Sequence, residues 1–171
     1  TSGFISKKKS YDDPTQAWCV QIGAILSTEC EILKTLNVII KADGREINYH
    51  AQQIHGISVE QADADGIDEF GAVKLFADLM KDNPILVCHN FDFDWQYVYQ
   101  MMQRHLDDLS DVHRSVFYRD LPHICTMKDK EVKKFVGARD KRNRIKWPKL
   151  IELAQKLKDN SDAKGRDFDF D

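Results

Sequence analysis

Pro84-Ile85-Leu86-Val87-Cys88-His89-Asn90-Phe91-Asp92-Phe93-Asp94-Trp95 is the stretch whose reading decides the fold. Ile85, Leu86 and Val87 form a continuous apolar run of strand length, led in by Asn83-Pro84 and led out by His89-Asn90. Such a run predicts a buried strand rather than an alternating surface one. Phe93, Tyr97 and Met101 then recur at helical spacing, with Val98 and Met102 one position off, so a helix follows. Asp94 stands in or beside its first turn, where the macrodipole favours a carboxylate. An acid at the end of a strand and the start of a helix is where open α/β sheets build their sites.

Working outward, Trp18 to Leu26 reads as a strand with Val20, Ile22, Ala24 and Leu26 on one face, and Ile32 to Lys41 as its hairpin partner before the turn at Asp43-Gly44. Thr1 to Gln16 is polar and turn-rich and reads as a loop. Ser58-Val59-Glu60-Gln61 announces a short helix by its capping-box pattern, which Asp65-Gly66 breaks. Gly56 allows close backbone approach, to a turn or to a ligand. Asp68 to Asp82 is the next helix, with Phe70, Val73, Phe76, Ala77, Leu79 and Met80 on its apolar face.

Downstream of the central stretch, Asp107 to Ser115 reads as connecting structure, and Arg119 to Thr126 as an edge or irregular strand because of Pro122. A last helix is expected from Trp147-Pro148, with Leu150, Leu153, Ala154 and Leu157 at core spacing, followed by a polar tail from Asp159 to Asp171. The order predicts one α/β domain over residues 1–171, a mixed sheet with helices on its faces, with no internal repeat.

A length of 171 residues with 42% hydrophobic content suits one sizeable core. The net charge of -3 gives no bulk attraction to nucleic acid, so a polyanion would have to be met by local charge or bound metal. Lys128 to Lys149 is such a local concentration, readable as a solvated basic loop or as a surface that tracks phosphates. Cys19, Cys30, Cys88 and Cys125 have no paired short spacing and predict free thiols in a reducing, cytoplasmic compartment. No apolar stretch is long enough for a membrane span, so no membrane partner is expected.

His89-Asn90-Phe91-Asp92-Phe93-Asp94 matches H-N-x-x-F-D, and the chain resembles the DEDDh 3'–5' exonucleases, a family that includes the proofreading epsilon subunit of bacterial DNA polymerase III. Val20 to Ile25 is similar to the family's second strand, Ile54-His55-Gly56-Ile57 to its His-Gly nucleotide loop, and Trp147-Pro148-Lys149-Leu150 to its penultimate helix. The resemblance implies a ribonuclease-H-like fold and hydrolysis of nucleic-acid 3' ends, single-stranded DNA first, with RNA trimming or a catalytically silent binding module as the alternatives. It allows a polymerase partner, which the sequence itself does not name. By resemblance Asp94 is a catalytic, metal-binding carboxylate, while Ser2, Gly3, His55, Gly56, Asn90 and Phe93 line the pocket of the terminal nucleotide.

Two motifs depart from the family pattern. The first, D-x-E followed by T-T-G or a near variant, aligns its end with Thr1-Ser2-Gly3 and so places both acids upstream of Thr1. A second alignment lays that strand on Phe4 to Ser10 and puts Ser6 and Lys8 where the acids belong, but Phe4-Ile5 is a short apolar run for a central strand. The third motif, H-x-x-x-x-D, is expected beyond the Asp167-Phe168-Asp169-Phe170-Asp171 segment. His89 and Asp94 share its spacing, yet their place after a strand assigns them to the second motif. The implied chemistry uses two divalent ions, Mg2+ or Mn2+, to activate water and steady the leaving oxygen, and one aspartate cannot assemble that pair. Asp92 reads as a cap or solvent residue, and His50, His105, His113 and His123 as surface or satisfied histidines.

Overall fold

The structure, a computed structural model, describes residues 1–162 apart from 83 and 119. The expected motif flank at Asp167 to Asp171 therefore lies outside the described residues, as does Arg119 at the head of the expected edge strand. Among the described residues seven helices and two small sheets make the protein mixed α/β. Contacts divide the chain into two compact units, Thr1–Pro84 with Phe93–Pro122, and Ile85–Asp92 with His123–Asp171.

The first unit opens on the hairpin. Strands β1 (Gln21–Ser27) and β2 (Ile32–Ile39) pair antiparallel, with Ile22 opposite Val38 and Ala24 opposite Leu36. Val20, Ile22, Leu36 and Ile40 are buried, so the expected alternation holds, while Ile25 on the other face is exposed. Helix α1 (Tyr49–His55) follows, capped by the Asn48 side chain accepting from the His50 N–H and closed by Gly56 in the left-handed region at φ 76°. Helix α2 (Val59–Asp65) carries the expected cap, Ser58 accepting from the Gln61 N–H. Helix α3 (Glu69–Met80) buries Val73, Phe76, Ala77, Leu79 and Met80, as its spacing predicts, and Ala72 besides, while Phe70 is only half-buried.

Helix α4 (Phe91–Arg104) buries Tyr97, Val98, Met101 and Met102. Helix α5 (Asp111–Tyr118) corrects the expectation of connecting structure at Asp107 to Ser115. Ser110 starts it, accepting from the His113 N–H at its hydroxyl and from the Arg114 N–H at its carbonyl. Buried Phe117 then stacks on Phe76 of α3 and on Trp95 of α4. A short helix with two apolar anchors leaves little periodicity to read.

In the second unit β3 (Leu86–Cys88) and β4 (His123–Cys125) pair in parallel, with Val87 opposite Ile124. Both strands stand where the sequence predicts them, but the apolar run at β3 is not buried: Val87 in the strand is 58% exposed and Ile85 just before it 61%. Its one strand partner among the described residues is β4, and a two-stranded pair cannot enclose both of its own faces. Helix α6 (Lys130–Val136) stands where a basic loop is one reading of the sequence, capped by Asp129 accepting from the N–H groups of Glu131 and Val132 and closed by Gly137 at φ 63°. Helix α7 (Leu150–Asp162) begins just after Trp147-Pro148; it buries Leu153 but leaves Leu150 and Leu157 exposed, against the expected core role of both.

All four thiols are free, with Cys19 buried, Cys30 exposed and Cys88 and Cys125 between. No helix among the described residues is long and apolar enough to cross a membrane.

Candidate functional site

The first unit gathers most of the residues singled out in the sequence around its N-terminal segment. Ser2 is buried and held three ways: its N–H donates to the Trp18 carbonyl at 2.9 Å, its hydroxyl accepts from the Trp18 N–H at 2.9 Å, and its carbonyl accepts from the Asn48 N–H at 2.9 Å. Asn48 also caps α1, so the segment that fixes Ser2 fixes the helix ending in His55-Gly56. The Gly3 carbonyl accepts from the Tyr97 hydroxyl at 2.5 Å, which ties the same segment to α4. On α4, Phe93 packs 5.2 Å from Tyr97 and meets the Phe4 ring edge-on at 6.1 Å. Phe4 itself is 87% exposed.

Asp94 is exposed at the start of α4, and its charge acts on the Thr1 amino group, the Cys19 thiol and the Tyr97 phenol. His55 reaches the same neighbourhood. Its Nδ1 accepts from the Ile57 N–H at 3.1 Å, so Nε2 carries the proton in the neutral ring, and Nε2 is shielded with no hydrogen-bond partner of good geometry. Burial, then the positive amino terminus, hold this imidazole below its ordinary value, with the Thr1 backbone acting the other way. Burial pushes the Cys19 thiol beneath the segment up to about 11. Gly56 is open on the side a Cβ would occupy, so its role is the left-handed helix stop rather than a close approach.

Asn90 belongs to the second unit, where it takes a left-handed backbone at φ 82°, a conformation asparagine tolerates, just ahead of α4. Beside it His89 joins two stretches far apart in sequence. The Pro148 carbonyl can only accept, so His89 Nε2 donates to it at 3.1 Å, and Nδ1 then faces the Thr126 hydroxyl at 3.0 Å. Asp92 pairs with Lys128, in keeping with a solvent role, and His123 stacks on Phe91 with centroids 3.8 Å apart. The Cys125 thiol is raised by burial but faces the backbone N–H groups of Phe91, Lys128, Asn90 and Met127, which outweigh it and lower its pKa.

Asp94 is a single carboxylate, and among the described residues no group of three or more His, Cys, Asp or Glu could hold a metal ion. The described residues therefore do not fit a two-ion centre, and no hydrolytic step is assigned to them.

Sequence reasoning missed Phe4, Ile54 and Tyr97 as neighbours of the site. Phe4 and Ile54 are each 87% exposed, and the signal for them was local: an aromatic directly after Thr1-Ser2-Gly3 and an isoleucine directly before His55-Gly56. It also missed a second feature of the first unit. Glu69, buried at the start of α3, accepts from Arg45 at 2.5 Å and from Arg104 at 2.6 and 2.9 Å, with His105 at 3.3 Å. Arg45 lies over the Trp18 ring at 4.4 Å. A cavity of about 560 Å³ opens beside this cluster, between it and the loop carrying Tyr11, Asp12 and Asp13. The chain matches no protein-family model, and no curated protein matches it.

Proposed function

We propose that this chain receives the 3'-terminal nucleotide of a nucleic acid, DNA first, as part of a ribonuclease-H-like 3'–5' exonuclease domain. The observation that carries the reading is the gathering of Ser2, Gly3, His55, Phe93 and Asp94 around one short segment, with the exposed Phe4 ring standing against Phe93. A solvent-exposed aromatic ring standing against a second ring offers a base a stacking face. The lone carboxylate favours a second reading, a binding module of the same fold that does not cleave.

Phe4→Ala is expected to weaken binding of a single strand by roughly 5- to 150-fold, about 1–3 kcal/mol, and to erase any preference for a free 3' hydroxyl over a blocked end. Fluorescence anisotropy with the two oligonucleotides measures both, and unchanged binding removes the reading. Competition by RNA of the same sequence decides the sugar, because only RNA presents a 2'-hydroxyl. The 171-residue chain is expected not to shorten a labelled strand in Mg2+ or Mn2+. Shortening would show a complete catalytic set in the chain, and tight binding without shortening supports the binding module.

A further inference from the structure

Between α6 and α7 the second unit carries a small, firmly built hairpin. Arg139 and Ile145 form an antiparallel bridge, the Lys146 N–H donates to the Ala138 carbonyl, and the Asp140 N–H donates to the Arg144 carbonyl. The Asn143 N–H donates back to the Asp140 carbonyl, and Asn143 takes the left-handed backbone at φ 61°. This is the three-residue loop in which a tight turn is followed by a left-handed residue. The Asp140 carboxylate locks it, accepting from the N–H groups of Arg142 and Arg144 and from the Arg144 guanidinium. Hydrogen bonds hold this carboxyl below the usual carboxylate range, with Arg144 the largest cause. What the lock leaves at the tip are Lys141 and Arg142, both exposed and in no ion pair among the described residues. At the foot of the hairpin Trp147 is 46% exposed, with the Lys133 ammonium 4.2 Å from its ring centroid.

We propose that this hairpin is a backbone-tracking surface for single-stranded nucleic acid, one that grips phosphates without needing a strand end. Residues 128–149 hold ten lysines and arginines against three acids, in a chain that is acidic overall. Like charge gathered against the sign of the whole molecule fits a polyanion, and each phosphate neutralised releases counterions. Rigidity separates this hairpin from a solvated basic loop: Asp140 is spent on fixing the loop, which presents Lys141 and Arg142 with the backbone already ordered. The half-exposed indole favours nucleic acid over an acidic peptide, because an aromatic beside a cation can stack a base while the cation meets its phosphate. The surface is independent of the 3'-end reading, since it uses no residue of the first unit.

A circular single-stranded DNA has no 3' end and tests this surface alone. The full chain is expected to bind it with log K falling linearly in log salt, and K141Q/R142Q is expected to reduce that slope by about 0.7 for each phosphate the variant no longer neutralises. K7Q/K8Q, on an exposed loop of the first unit, is expected to leave the slope unchanged. Circular dichroism confirms that K141Q/R142Q is folded, since neither tip side chain has a described partner. An unchanged slope in K141Q/R142Q overturns the proposal. So does binding to phosphatidylserine vesicles by a chain that ignores the circle, which would make the surface one for anionic lipid.

Discussion

Glu69→Ala is expected to lower the unfolding free energy by about 3–5 kcal/mol, because it leaves two largely buried guanidinium groups without their shared counter-charge. Arg45 and Arg104 are 19% and 16% exposed, and Glu69 is 8% exposed, so water cannot easily replace the lost carboxylate. The same carboxylate links β2's exit, α3 and α4, and through Arg104 it reaches the Tyr11 carbonyl at 3.0 Å. Glu69→Gln keeps the acceptor oxygen and is expected to cost less. Urea unfolding of both variants beside the parent measures this, and a loss below about 1 kcal/mol would mean that the guanidinium groups rehydrate through the adjoining cavity. The cluster also fixes a pH dependence. Burial alone would raise the Glu69 carboxyl, but hydrogen bonds from His105 and Arg104 and the two arginine charges hold it well below its ordinary 4.5. A carboxyl lowered in the folded state contributes fully above that ordinary value, and its contribution drains away as the pH falls below it. Glu69→Gln should therefore show a flatter acid limb than the parent.

The second large effect is expected at Gly66→Ala, about 3 kcal/mol, at the upper end of the overpacking range. An added Cβ would stand 2.3 Å from the Ala62 carbonyl oxygen, 2.7 Å from the Lys41 nitrogen and 2.8 Å from the Ile40 carbonyl carbon. All three are backbone atoms of two elements bound together there, since Lys41 donates to the Ile67 carbonyl and Ile67 to the Ile39 carbonyl. No rotamer change relieves such a clash. Gly23→Ala is the control, with nothing within 4 Å of the added carbon, and thermal unfolding of the pair should separate them clearly.

Those two glycines, with Gly56, show where the sequence was legible. Asp65-Gly66 was readable as a helix stop, but nothing local announced that β2's exit would lie against it, because that neighbour is some 25 residues away in the chain. Gly56 was readable as a special position, though not whether φ or proximity demanded it. The hairpin, α3 and α4 were legible because a period of two or of 3.6 ran long enough to be seen, and α2 because Ser58 and Gln61 spell its cap. Helices α1 and α6 were not, since each is seven residues with no buried side chain and exists chiefly through its caps. Ile85 and Val87 looked buried because an apolar run reports what residues prefer and not what covers them. At the site, Ser2, Gly3, His55, Phe93 and Asp94 were named together only through the family resemblance. Tyr97's bond to the Gly3 carbonyl and the Glu69 cluster needed tertiary contacts that no spacing encodes.

The thiols described above differ enough to serve as clocks. Cys19 lies beneath the N-terminal segment with its pKa raised, whereas backbone donors favour the Cys125 thiolate. A disulfide reagent at neutral pH should label Cys19 only during transient opening of the Ser2–Trp18 clasp, so its labelling rate would read the free energy of that opening directly. Added oligonucleotide that seats against Phe4 and His55 would slow this clock while leaving the one at Cys125 running. The clasp thereby turns a buried cysteine into a reporter of ligand occupancy that needs no cleavage to be seen.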